Sequence, residues 1–346
     1  MSFGTVQAEK MTTESGYSLG AGNASSFKNR IINGGMQVNQ RGGTISASGT
    51  ANTYGVDRFA MRTTSGSAEV SMQQSTTAPA GFYNSLLCTV TTADASLAAG
   101  DLTALHQKIE GVNVADLGWG AAGAQSVTIS FQVRSSVTGT YGVGIQNNDS
   151  NRSYPSTFTI NSANTWETKT VTIPGDTTGT WNLGTTSTAL YVFFSLSAGS
   201  GYTGGTTNAW SATDSRGASG QVNWCATIGN TFYITGVQLE VGTVATSFDY
   251  RPYGTELALC QRYFYTGLNV RYAGATTAAY GPSYSLNHPM SMRTAPTITF
   301  SSTSFANNVT SIGAANIDTN GFTTSFGSNG SGGGSGQGII SATAEL

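Results

Sequence analysis

The stretch VTISFQV at residues 127–133 alternates strictly between apolar and polar side chains. In an extended chain successive side chains point to opposite faces, so the four apolar residues would share one face of a strand. These residues are Val127, Ile129, Phe131 and Val133. The same alternation recurs at residues 170–173 and is followed by turn-forming Pro174 and Gly175. The pattern predicts strands with one buried face, which a second layer of structure must cover.

Other segments of the first two thirds of the chain join β-branched or aromatic residues to flanking Gly, Asn, Asp or Pro. They are residues 54–62, 68–74, 86–91, 106–110, 139–147, 166–173 and 189–196, with a pair near 231–241, and the strand of the first stretch is predicted over 127–135. Their spacing favours antiparallel strands over alternating strands and helices. We therefore predict one jelly-roll β-sandwich over residues 27–253.

The sequence period changes after the alternating stretch 237–241. Pro252 stops extended structure, and Glu256 stands where the dipole of a helix first turn favours an anion. We expect a short linking helix at residues 254–265 and a smaller β-domain at residues 266–346. Its candidate strands, the first of which overlaps the end of the helix, are 263–266, 284–286, 297–300 and 338–344. The predicted fold class is all-β throughout.

Charged side chains are scarce, at 9% of the chain, with 15 basic and 17 acidic residues and a net charge of −2. Ordinary soluble domains carry roughly 25% charged residues. The lysines are scattered and form no basic face, which argues against nucleic-acid binding. They are Lys10, Lys28, Lys108 and Lys169.

No apolar run is long enough for a membrane span, and the first residues lack the pattern of a signal peptide. We therefore expect synthesis in a cytoplasm and no membrane insertion. The three cysteines are far apart in the sequence and are interpreted as buried reduced thiols. They are Cys88, Cys225 and Cys260.

Seven stretches of the sequence are distinctive. They are NRIINGGMQVNQRG at 29–42, YGVDRFAM at 54–61, NTWETKTVTIPGDTTGTW at 164–181, VQLEVG at 237–242, ATSFDYRP at 245–252, TELALCQRYFY at 255–265 and MRTAPTITFS at 292–301. Together they resemble phage tail-fibre-like virion proteins. The resemblance implies a virion structural protein whose sandwich is similar to carbohydrate-binding jelly rolls. It also implies that residues 1–26 form an arm that attaches to other virion proteins. By composition alone, that polar segment would be interpreted as disordered.

Carbohydrate-binding jelly rolls often hold a structural calcium with acidic residues near the first and last strands. The matching positions here are residues 33–36 and 237–240, and only Glu240 is acidic. We therefore predict no metal and no cofactor.

Catalytic patterns are not evident in the sequence. His106 and His288 are far from any GxSxG elbow or cysteine partner, and no HExxH or CxxC occurs. A glycosidase needs only two nearby carboxylates, which sequence spacing cannot exclude, but the candidate acids lie on predicted strands. We expect the protein not to be an enzyme.

Aromatic residues beside Gly, Asn, Asp or Thr are typical of sugar recognition, because a flat ring covers the sugar and short polar groups bind its hydroxyls. In the Gly-rich segment 199–220, Tyr202 and Trp210 are the better candidates for glycan binding. Trp224 is a further candidate, although its position before Cys225 is more typical of a core residue.

Near the linking helix we predict a structural joint, with arginines held by carboxylates or strand-end carbonyls. Its residues are Glu240, Asp249, Arg251 and Arg262.

The C-terminal 80 residues combine few aliphatic side chains with a Gly-rich segment, residues 327–338, which alone would be a flexible linker. Three copies around an axis could share their apolar faces and cover open sheet edges. We therefore predict a homotrimer, its three-fold symmetry being implied by the fibre resemblance.

Two alternatives to a tail fibre remain open. One is a head decoration or head fibre of the virion, and the other is a free carbohydrate-binding protein.

Overall fold

A computed structural model describes residues 28–64, 68–276 and 281–346, together with two short paired strands, β1 (Met11–Thr12) and β2 (Ser18–Leu19). The rest of the predicted arm at residues 1–26 lies outside the described residues. Contacts divide the chain into two compact units, Met1–Arg251 and Pro252–Leu346.

The first unit contains two six-stranded antiparallel sheets that enclose one core. Its strands are β3 (Thr44–Ala47), β4 (Thr53–Tyr54), β5 (Ala60–Thr63), β6 (Glu69–Ser75), β7 (Ser85–Thr92), β8 (Leu102–Glu110), β9 (Val127–Ser135), β10 (Gly139–Asn147), β11 (Ser153–Ile160), β12 (Glu167–Ile173), β13 (Thr188–Ala198) and β14 (Thr231–Val241). Sheet I has the order β11-β10-β13-β8-β5-β4, and sheet II has the order β12-β9-β14-β7-β6-β3. The predicted all-β jelly-roll sandwich is confirmed.

The alternation of β9 produces this core directly. All four of its apolar residues are at most 1% exposed. The polar residues between them lie on the other face of sheet II, in which β9 pairs with β12 and β14. The Phe131 ring meets Phe194 and Phe158 of sheet I edge-on, at centroid distances of 4.9 and 5.0 Å. Such a buried side chain contributes about 1.5–3 kcal/mol relative to an exposed one.

Four 3₁₀ turns occur in the described part of the first unit, at Gly111–Asn113, Ala115–Leu117, Ser200–Tyr202 and Trp224–Ala226. The one α-helix among the described residues, α1 (Tyr253–Gln261), begins after Pro252, with Glu256 in its first turn. It is shorter than predicted because the next strand already begins at Phe264. No helix in the described ranges is long and apolar enough to cross a membrane.

The second unit contains two three-stranded antiparallel sheets, with orders β15-β20-β17 and β16-β19-β18. Its strands are β15 (Phe264–Thr276), β16 (Ser283–Asn287), β17 (Thr297–Asn307), β18 (Val309–Ala315), β19 (Gly321–Ser328) and β20 (Gly332–Thr343). The prediction of a smaller C-terminal β-domain is confirmed, although β18 and β19 were not predicted.

The interpretation of residues 327–338 as a flexible linker is wrong, since most of the segment lies in β20, the central strand of its sheet. The reason is close packing. A Cβ atom at Gly336 would lie 2.8 Å from Cδ1 of Phe326 and 2.9 Å from Cγ1 of Val309. Glycine therefore lets these two buried side chains lie against the strand backbone.

Candidate functional site

A groove of about 720 Å³ runs over the outer face of sheet II. Its floor consists of the outward residues of β9 and β12, whose inward neighbours form the core. Gln132 pairs with Thr168 across the two strands, and its amide donates to the Thr168 hydroxyl at 2.8 Å. Ser130 faces Thr170 one step further along the same ladder. The floor therefore offers hydroxyl and amide groups in regular array.

One wall of the groove is a cluster of three aromatic rings. Phe248 lies 5.0 Å from Phe82 and 4.9 Å from Tyr250, both edge-on, and Phe82 lies 5.6 Å from Tyr250. The Tyr250 hydroxyl donates to the Gly81 carbonyl at 2.9 Å, while the side chain stays more than half exposed. Partial burial raises the pKa of Tyr250, so its hydroxyl keeps its proton at neutral pH. The cluster is thus fixed in place yet open to solvent.

The position of Phe82 depends on a glycine in β14. Gly236 has a left-handed φ of +60°, and a Cβ atom there would lie 2.6 Å from Cζ of Phe82. The strand has a bulge between Thr235 and Gln238, which accommodates this conformation.

Residues 243–247 form a further part of the groove lining, a rim that is held by Glu240. Its carboxylate accepts hydrogen bonds from the Thr246 backbone N–H at 2.8 Å, the Thr246 hydroxyl at 2.6 Å and the Gln238 amide at 2.8 Å. The prediction that Glu240 forms an ion pair at the joint is therefore corrected. The carboxylate is almost fully buried and fixes the groove rim through neutral donors.

The calcium that a carbohydrate-binding jelly roll would imply does not fit here. The Lys28 ammonium donates to the Thr246 hydroxyl, which is bonded to Glu240, and to the Ser247 carbonyl at 2.6 Å. A lysine cation thus lies beside the one acidic residue that such a metal would use. Across the described residues, no three His, Cys, Asp or Glu side chains come together as a metal site.

Every residue that lines the groove is uncharged. Hydroxyls and amides can bind sugar hydroxyls in both directions, and an aromatic face covers the apolar side of a sugar ring. The volume also lies within the range of roughly 300–1,000 Å³ usual for small-ligand sites. The groove is therefore suited to a neutral, hydroxyl-rich ligand.

The predicted glycan residues lie elsewhere. Segment 199–223 runs along sheet I, where Ser211 bridges to Ser153 of β11 and the Val222 N–H donates to the Thr140 carbonyl of β10. Trp224 has no exposed surface, and its ring meets Phe232 in the core. Its assignment as a ligand residue is wrong because no ligand can reach it.

Trp210 is partly buried in a cluster of aromatic side chains. Its ring lies 5.3 Å from Trp119, 5.6 Å from Trp181 and 5.2 Å from Tyr154. The indole N–H donates to the Pro174 carbonyl at 2.8 Å. Most of the ring surface and its polar atom are therefore used within the protein, which fits a packing role better than a ligand contact.

Tyr202 lies in a 3₁₀ turn and is partly exposed. The guanidinium of Arg216 sits 5.6 Å over its ring, and its backbone carbonyl accepts the Arg216 N–H at 3.0 Å. It is remote in sequence from the aromatic wall that sequence reasoning missed. Those rings also adjoin Gly or Asp, at Gly81-Phe82 and Phe248-Asp249-Tyr250, so the signal used to select the tryptophans could have found them.

Each of the two joint arginines has at least one hydrogen bond to a backbone carbonyl. Arg251 donates to the backbone carbonyls of Asn29 and of Ile31, the latter at 3.2 Å, and its Nε lies 3.8 Å from the Asp249 carboxylate. Arg262 reaches the Ser291 carbonyl at 3.5 Å. Asp249 also accepts the Asn29 N–H at 3.2 Å, so this aspartate connects the last residues of the first unit to the segment that precedes its sheets.

No family model and no curated protein matches the chain. Among solved structures, it is similar to the enzymatically active domain of tailspike protein 4 of bacteriophage CBA120, at 11% identity over 62% of this chain and 22% of that one, with a TM-score of 0.32. It is also similar to a family 11 carbohydrate-binding module from Clostridium thermocellum, in complex with a mixed-linked tetrasaccharide, at 12% identity over 60% and 99%, with a TM-score of 0.29. A xylan-binding domain from Paenibacillus barcinonensis has 9% identity over 64% and 100%, with a TM-score of 0.28. Similarity at this level assigns no ligand or activity to the chain.

Proposed function

We propose that this protein is a non-enzymatic virion structural protein of tail-fibre type, which contributes to attachment at the host surface by binding glycans. The observation that carries the binding role is the uncharged groove on sheet II, with its hydroxyl and amide floor and its wall of Phe82, Phe248 and Tyr250. No carboxylate lines this groove, so it holds a sugar without the acid and base that would cleave it.

The virion role is supported by the sequence stretches that resemble tail-fibre-like proteins, among them ATSFDYRP at 245–252. This stretch supplies both Phe248 and Tyr250, so the resemblance and the groove coincide in the chain. In this proposal residues 1–26 attach the protein to other virion components.

The proposal includes a homotrimer formed through the second unit. Its core has few fully buried large side chains, and several apolar residues stay partly exposed. These are Leu268, Leu286, Ile298, Phe300, Phe305, Ile312 and Ile317. Neighbouring copies would cover them, and several copies would raise the avidity for weakly bound glycans. Sedimentation of the full chain at micromolar concentration should give three times the monomer mass, and a monomer would contradict the assembly.

A glycan array probed with the full chain tests the binding role. Phe248→Ala and Tyr250→Ala should each lower the signal about tenfold, as expected when an aromatic anchor is truncated. Tyr83→Ala is the matched control, because Tyr83 is an adjacent aromatic residue that is 78% exposed and does not line the groove. Unchanged binding by the folded Phe248→Ala variant would reject the groove.

Electron microscopy of particles labelled with an antibody against this chain tests the location. Label at the tail supports the proposal. Label on the head would contradict the tail-fibre role and indicate a head fibre or head decoration, and unlabelled particles would contradict a virion role.

A further inference from the structure

The outer face of sheet II continues beyond the groove. Gln132 and Thr168 form one end row of the groove floor. Arg134 is the next outward residue of β9, and it pairs with Tyr233 of β14. Trp166 immediately precedes β12, and its ring lies edge-on to that of Tyr233 at 6.1 Å. Successive outward residues of a strand are about 7 Å apart, so these three side chains, the Arg134 cluster, lie one row beyond the floor.

The guanidinium of Arg134 is held on one edge and on one face. Its Nε donates to the Asn164 carbonyl at 2.8 Å, and its central carbon lies 4.9 Å over the Tyr233 ring. Its two terminal nitrogens bond to no described residue, and no described carboxylate pairs with it. The side chain is only partly buried, and both nitrogens remain accessible to solvent. The edge that carries these nitrogens is therefore free to meet a ligand.

The acid beside this cluster in the chain is used elsewhere. Glu167 pairs with Val133, whose side chain is in the core, so it lies on the face of β12 opposite the groove. Its carboxylate accepts hydrogen bonds from Lys169 at 2.6 Å and from the Asn161 amide at 2.9 Å. The charge of Arg134 is thus left without a counter-charge. A planar guanidinium whose free edge is already oriented matches the two oxygens of a carboxylate.

We propose that the glycan bound in the groove is acidic, with a hexuronate next to the neutral sugar that lies against the aromatic wall. This inference rests on the glycan role proposed for the groove. The neutral sugar lies over Ser130 and Gln132 beside Phe248, and the uronate carboxylate accepts hydrogen bonds from the terminal nitrogens of Arg134. The spacing of about 7 Å between rows is comparable to the length of one sugar residue. The Trp166 ring borders the uronate.

The uncharged lining of the groove limits where the ligand can be charged. A carboxylate placed against hydroxyls and aromatic rings alone would lose hydration without gaining a cation in exchange. The described residues offer one free positive charge, on Arg134, one row beyond the groove floor. The preferred ligand therefore alternates neutral and acidic sugars, and a chain of uronates only is disfavoured.

Calorimetric titration of the full chain tests the inference. The ligands are short oligosaccharides in which glucuronate alternates with glucose, in α- and in β-linked forms, and the same oligosaccharides after carboxyl reduction, which converts glucuronate to glucose. At least one acidic form should bind at least tenfold more tightly than its reduced counterpart. Equal or tighter binding of the reduced forms, or no binding of any acidic form, would overturn the inference.

An oligoglucuronate of the same length tests the order of sugars. It should bind more weakly than the alternating oligosaccharide, because one of its carboxylates would lie against the uncharged lining. Binding as tight as that of the alternating form would overturn the placement of a neutral sugar in the groove.

Two arginine variants locate the charge. Arg134→Gln should weaken binding of the acidic form about tenfold or more, so that the acidic and the reduced forms bind alike. Arg271→Gln is the matched control, since Arg271 is an exposed arginine on β15 of the second unit, and it should leave the preference for the acidic form unchanged. Thermal melts establish that each variant is folded. A folded Arg134→Gln variant that still prefers the acidic form would overturn the inference.

Phe248→Ala separates this inference from the glycan role on which it rests. The acidic form should bind this variant more weakly, because the sugar beside the uronate loses its aromatic contact. If Phe248→Ala weakens glycan binding and Arg134→Gln does not, the groove keeps its role and the acidic ligand is rejected. If Arg134→Gln weakens binding and Phe248→Ala does not, the anion binds outside the groove, which contradicts both proposals.

Discussion

The two units fill their interiors in opposite ways. In the first unit, large side chains from two six-stranded sheets interdigitate, as Phe131 does between Phe158 and Phe194. In the second unit, the central strand β20 is rich in glycine, and Val309 and Phe326 of the other sheet lie directly against its backbone at Gly334 and Gly336. A core can therefore be formed by large side chains that interdigitate or by glycines that let other side chains approach the backbone. Only a core of large side chains leaves a hydrophobic pattern in the sequence.

The largest expected effect is at the centre of the first unit. Phe131→Ala removes a ring that is 1% exposed and leaves a cavity between the sheets, so it should lower the free energy of unfolding by about 3–5 kcal/mol. Differential scanning calorimetry should show the loss in the transition of the first unit. Tyr83→Ala, at an exposed aromatic residue, serves as the control. An equal shift in the transition of the second unit would show that the two units do not unfold separately.

A smaller effect is expected in the second unit. Gly336→Val places a side chain where even a Cβ atom would lie 2.8 Å from Phe326 and 2.9 Å from Val309, so overpacking should cost about 1–3 kcal/mol of unfolding free energy. Gly333→Val is a matched control on the same strand, since a Cβ atom there meets nothing within 4 Å. Urea unfolding of both variants measures the difference. If the two substitutions have the same effect, close packing does not explain the glycines of β20.

This contrast accounts for what the sequence could and could not predict. β9 and β10 were predicted with the bounds that the structure has, because large apolar residues that face the core alternate in them with polar residues or glycine. β11 was missed, since Pro155 interrupts its pattern, and most of β20 was interpreted as linker because glycine has no side chain to alternate. In such strands the evidence for pairing lies in neighbouring segments, which are distant in the sequence.

The candidate sites were harder to predict for a related reason. The groove joins Phe82, the outward residues of β9 and β12, and Phe248 to Tyr250, and only the strand register brings these segments together. Trp224 was a glycan candidate because it adjoins Asn223, yet it is buried in the core, as its other neighbour, Cys225, indicated. Local composition describes the neighbours of a residue in the chain and not its neighbours in space.

The smallest effect we predict concerns Asp176, a buried acid in the first unit. Its carboxylate accepts hydrogen bonds from Arg152 at 2.8 and 2.5 Å and from the indole N–H of Trp181 at 3.0 Å. Burial alone would raise the pKa of Asp176, but the hydrogen bonds from Arg152, Trp181 and the Thr178 backbone outweigh it and hold the pKa below its ordinary value. The ionised carboxylate therefore stabilises the fold at neutral pH.

Because the folded-state pKa of Asp176 is depressed, its contribution is present above the unfolded-state pKa of about 3.9 and is lost as the pH falls through the lower folded-state value. Asp176→Asn should lower the free energy of unfolding of the first unit by about 1–2 kcal/mol at pH 7. The difference from wild type should narrow as the pH is lowered below about 4. Urea unfolding at pH 7 and at pH 3 measures both values.

Asp149→Asn, at an exposed acid bonded to the Asn148 amide, is the control and should change stability little at either pH. A deficit in Asp176→Asn that stays constant across this pH range would mean that the residue acts through its shape and not through its charge.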